Sequence, residues 1–138
     1  MSIGTDTLVE YGHGFQTKSI ASLFNIKYLS TVQDIAIPEM FTTEAHQWIV
    51  KNIVAHFRKF KTIPSNDIFK SYLVEDELSE VQQSLIEMAL QEITSVLTST
   101  DLPAIQVKFK TFCLNQEIKN GLSDSIDFLK AGKYDKIR

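Results

Sequence analysis

The sequence predicts an all-α protein, a small helical globule with a protruding C-terminal helical hairpin. Three observations predict it. Five glycines and three prolines in 138 residues are too few for the turns of a β fold. Apolar residues recur at spacings of three and four along most of the chain. Threonine or serine stands ahead of several of those runs, where a helix needs a side chain to accept from its first free N–H groups. The length suits one domain, and a hydrophobic fraction of 43% is ordinary for a chain with a real core.

Met1 to Gly14 reads as a flexible lead-in, with three glycines and few apolar residues. The helical domain is expected over residues 15–131. Thr17 can cap a first helix carrying Ile20, Leu23 and Phe24. From Asn25 to Ile37 a three-residue rhythm of Ile26, Leu29, Val32 and Ile35 suits one or two short helices, closed by Pro38. The clearest helix follows. Thr42 or Thr43 caps it, Glu44 suits its positive start, and Lys59 and Lys61 suit its end. Its inward face is Ala45, Ile49, Ile53, Phe57 and Phe60. Pro64 ends that helix, and Ser65 caps a short one through Ile68, Phe69, Tyr72 and Leu73.

Glu75-Asp76-Glu77 reads as a solvated acidic turn. Ser79 and Gln82 then make the S-x-x-Q pattern of a capping box. Leu85, Met88, Ala89 and Ile93 form one apolar row behind it, and Ile86, Leu90 and Leu97 a second. The last helix, about Ala104 to Leu129, would span roughly 39 Å. Ile105, Phe109 and Phe112 lie on one of its faces, and Leu114, Ile118, Leu122 and Leu129 on another. A helix that long overhangs a small globule. With its predecessor it suggests an antiparallel hairpin with apolar surface to spare, which marks a partner site.

Chemistry is hard to find in the sequence. No G-x-x-x-x-G-K-[ST] phosphate loop occurs, so neither a catalytic nor a cofactor-binding residue is assigned. The single Cys113, between Phe112 and Leu114, excludes an internal disulfide and reads as a buried thiol. His46 and His56 are ten residues apart on one helix, about 80° and ~15 Å from each other, so they cannot share a metal, and no metal ligand is assigned. They are expected to be solvated or half-buried. A net charge of -3 gives no global pull toward nucleic acid. Arg58, Lys59 and Lys61 are the local candidates for DNA contact, against the plainer reading of Phe57 and Phe60 inward and cations outward. No signal peptide or membrane span is read, so the expected compartment is cytoplasmic.

The order of elements carries a resemblance. Phe15 to Ile20, Leu29, Glu39-Met40-Phe41, His46 to Val50, Phe57 to Lys61 and Ile63-Pro64-Ser65 follow one another as in the N-terminal domain of DnaB-like replicative DNA helicases, especially the phage, T4-type forms. Gly132 to Ile137 is similar to the segment before the family's interdomain linker, so residues 132–138 are expected to begin it. The resemblance implies a helical globule plus hairpin that pairs into dimers, three of which build a collar above a hexameric ring. Primase, or in some systems a loader, engages that collar. ATP, magnesium and most DNA contact belong to a motor domain, whose motifs this chain lacks. An acidic residue often found after the first helix is Asn25 here.

The resulting expectation is a non-enzymatic collar domain in DNA replication. It would associate with itself through Leu114, Ile118 and Leu122 and recruit primase or a loader, in the bacterial cytoplasm if phage-encoded. Two alternatives are a stand-alone helical adaptor resembling a helicase loader, and a small enzyme assembled from scattered carboxylates and His56.

Overall fold

The structure is a computed structural model that describes the backbone of residues 6–130 and the side chains of residues 6–121. Among the described residues there are six α-helices and no strand: α1 (Gly12–Ser22), α2 (Ile26–Val32), α3 (Glu44–Phe60), α4 (Asn66–Glu75), α5 (Glu80–Ser95) and α6 (Leu102–Lys130). The fold is therefore all-α. Short 3-10 turns at Val9–Tyr11 and Pro38–Met40 complete it.

Local chemistry sets most helix starts. Thr43 caps α3 by accepting from the N–H of His46, and Ser65 caps α4 by accepting from Ile68. Ser79 and Gln82 close a reciprocal capping box at α5. Asn25, which departs from the acidic residue of the resembled family, serves as the cap of α2 through Tyr28 N–H at 3.0 Å.

The N-terminal segment differs from its sequence reading. Residues 1–5 lie outside the described region, but order begins well before Phe15. Leu8 is fully buried, and its N–H donates to the Met40 carbonyl at 2.7 Å. Gly12 takes a φ of 87°, a turn open to glycine, and leads directly into α1. Thr17 is consequently inside the helix rather than its cap. Its hydroxyl donates back to the His13 carbonyl, as Ser19 does to Phe15 and Ser22 to Lys18. These bonds let a polar-looking helix be buried on several sides.

That burial makes α1 the hub. It packs against α6, α5 and α3, while α5 also packs along α3. The expected hairpin of α5 and α6 is accordingly not the main contact of either helix, because both use α1 as their principal surface or share it with α3. On α6, Leu102, Phe109, Cys113 and Gln116 are buried. Asp6 clips the helix there: its N–H donates to Gln116 Oε1 at 3.0 Å, and its carboxylate accepts from Lys119 at 2.7 Å. Beyond Gln116 no described side chain of α6 is buried.

Two apolar rows are also revised. On α5 the buried residues are Ile86, Ala89 and Ile93, whereas Leu85 and Met88 face outward. On α3, Phe57 is buried but Phe60 is 53% exposed, since the helix ends there and the ring meets mainly His56 and Lys59 of its own helix.

Candidate interaction surfaces

On α6, Val107, Leu114 and Ile118 are exposed, the last at 61%. Spacings of seven and four put them on one face, opposite the buried Phe109 and Cys113. Leu114 and Ile118 are thus together in one stripe. The side chain of Leu122, their expected companion, lies outside the described residues, as does the expected linker start at 132–138. Cys113 beneath them is inert. Burial pushes its thiol up to about 12, and it contacts the Met40 sulfur at 3.7 Å.

A second surface is the groove between α3 and α4, with a volume of about 910 Å³. Two bonds fix how α4 runs back along α3. The Trp48 indole donates to Asp76 at 2.6 Å, and His56 Nδ1 lies 2.6 Å from the Tyr72 hydroxyl. Asp76 accepts from a buried indole while remaining, like Glu75, Glu77 and Glu80, on the exposed surface that the sequence predicts. His56 is buried rather than solvated or half-buried, and Thr62 meets its other ring nitrogen at 3.2 Å. The floor and rim include Ile63, Ile68 and Phe60, with Lys59 at one end and Glu75 at the other. Lys59 Nζ sits 5.2 Å from the centre of the Phe60 ring.

The three cations expected for DNA contact are all exposed and take different partners. Arg58 donates to the side chain and carbonyl of Gln33, each at 2.9 Å, and pairs with Asp34 at 3.6 Å. Lys59 and Lys61 lie over different rings, Phe60 and Phe57. No sequence signal marked the groove. Phe60 could have been found only by noticing that a terminal turn has fewer neighbours than the helix middle.

His46 presents a third kind of feature. It is 1% exposed, and neither ring nitrogen has a hydrogen-bond partner. Its ring stacks on His13 at 5.2 Å, and Phe41 approaches edge-on at 6.2 Å. Desolvation, then the neighbouring His13, hold its pKa down to about 4 against an opposing pull from Glu92. His13 itself pairs with Glu92 at 2.8 Å. Among the described residues no three His, Cys, Asp or Glu side chains are grouped to hold a metal, and no helix is long and apolar enough to cross a membrane.

No family model matches the chain, and neither does any curated protein or solved structure.

Proposed function

We propose that this chain is a self-assembling docking domain, of the kind that forms the N-terminal collar of DnaB-like replicative helicases. In that role it holds copies of its parent protein together and offers a surface to primase or a loader. The collinear run of residues from Phe15 to Ser65 supports the family assignment. The observation that carries the docking role is the exposed Leu114–Ile118 stripe on the outer face of α6. Apolar side chains arranged along one helix face gain by being covered, at about 25 cal/mol per Å² removed from water. ATP and magnesium would belong to a motor domain, and DNA would be gripped mainly there.

Light scattering after size exclusion, over a hundredfold range of concentration, tests the reading. The expected result is an oligomer that dissociates on dilution and that Leu114→Asp or Ile118→Asp reduces to monomer. A monomer at every concentration would count against self-assembly and favour a stand-alone adaptor.

A further inference from the structure

A second exposed apolar stripe lies on α5. Val81, Leu85 and Met88 are 69%, 53% and 56% exposed, and spacings of four and three set them on one face. That face is turned away from Ile86, Ala89 and Ile93, which pack inward. Leu85 also borders a cleft of about 110 Å³ between α3 and α5, walled by Ala45, Trp48, Leu78 and Ile86. The cleft has room for one aliphatic side chain. The surroundings are acidic. Between Lys70 and Lys108 the chain has carboxylates but no lysine, arginine or histidine. Glu80 and Glu87 each precede a stripe residue, about 100° back around the helix, and Glu44 stands on the rim of the cleft. All three are exposed, and among the described residues none of them has an ion pair. Glu92 continues the stripe one turn beyond Met88, where it pairs with His13.

We infer that this face of α5 is a docking site for a cationic amphipathic helix of another protein. One apolar side chain of that helix enters the cleft, and its neighbours cover Val81, Leu85 and Met88. Its lysines or arginines meet Glu44, Glu80 and Glu87. Unpaired carboxylates beside an apolar stripe select that occupant, because they attract a basic flank and repel nucleic acid. A second copy presenting the same face would set these carboxylates against one another. The Met88 thioether adapts to side chains of different shape, which suits a surface covered by a partner helix. Docking here uses none of the α6 residues that carry self-assembly.

Two synthetic helical peptides test it, with the same leucines at spacings of three and four, one flanked by lysines and the other by glutamates. Fluorescence anisotropy with the full chain should show the lysine peptide bound about tenfold more tightly, an advantage that shrinks as salt is raised. Leu85→Gln combined with Met88→Gln keeps the charge and alters only exposed positions, so circular dichroism should show that variant folded. It should bind the lysine peptide about tenfold more weakly, whereas Leu114→Gln should bind it as the unaltered chain does. Glu44→Gln should weaken binding about threefold. An unaltered chain that binds neither peptide, or both alike, overturns the proposal. So does a Leu85→Gln, Met88→Gln protein that binds as tightly as the unaltered chain. If that double variant loses self-assembly in light scattering, the face belongs to a second copy, and the proposal fails while self-assembly stands.

Discussion

His46 is neutral and dry in the folded protein, so acid acts on it through the unfolded state. Its folded pKa of about 4 lies below the ordinary 6.5. Between those values the unfolded chain binds a proton that the native state refuses, and stability therefore rises with pH across that window. Below pH 4 the accumulated loss is about 3 kcal/mol from this residue. His56, also depressed by burial, acts in the same direction. The paired carboxylates Asp6 and Asp101 are held below 3.8 by Lys119 and Lys18, so their stabilisation is lost only at lower pH. Urea denaturation at pH 4.5 and 7 should accordingly show a less stable protein at the lower value. His46→Phe should flatten much of that difference, and an unchanged pH slope in the variant would show that His46 is not its source. The sequence placed this residue on the right helix. Its burial followed from α1 and Phe41 closing over it, which no local pattern announces.

The ends of the helices are where sequence and structure agree most closely, because capping is local chemistry. Ser79→Ala removes one half of the capping box and should cost about 1 kcal/mol, measured as a lower denaturation midpoint with an unchanged slope. Lys61 closes α3 with φ 60° and ψ 24°, a left-handed conformation that a side chain makes unfavourable. Lys61→Gly should thus stabilise the protein by about 1 kcal/mol; a loss instead would mean that the lysine's contact with Phe57 outweighs the backbone strain. Faces were harder to read than ends. On α5 two adjacent apolar rows compete, and only contact with α3 and α1 decides that Ile86, Ala89 and Ile93 turn inward while Leu85 and Met88 do not. On α6 the separation into a buried and an exposed face was readable, because the two rows stand well apart around the helix.

The assembly of the whole domain depends on a residue that composition would assign to a surface. Gln16 is 2% exposed at the centre of α1's buried side. Its amide nitrogen donates to the Leu8 carbonyl at 3.3 Å, and its oxygen accepts from the Thr42 N–H at 3.0 Å and hydroxyl at 3.1 Å. One side chain thereby ties the N-terminal segment, the hub helix and the approach to α3. This explains why the glycine-rich start was misread as flexible. Its order comes from Leu8 filling the core and from bonds to Gln16, Met40 and Gln116, neither of which leaves a periodic signal. Gln16→Leu keeps a similar volume but removes the partner of the Thr42 N–H, while the Leu8 carbonyl keeps only its bond from the Tyr11 N–H at 3.0 Å. Leaving a polar group unpaired costs about 1–3 kcal/mol, so the variant should lose roughly that much in chemical denaturation. Hydrogen exchange gives the sharper test, because the damage should concentrate at the amides of Leu8 and Thr42 while α5 keeps its protection relative to global unfolding. Loss spread evenly over all six helices would instead mean that the segment folds only with the entire core, and that Gln16 holds no separable joint.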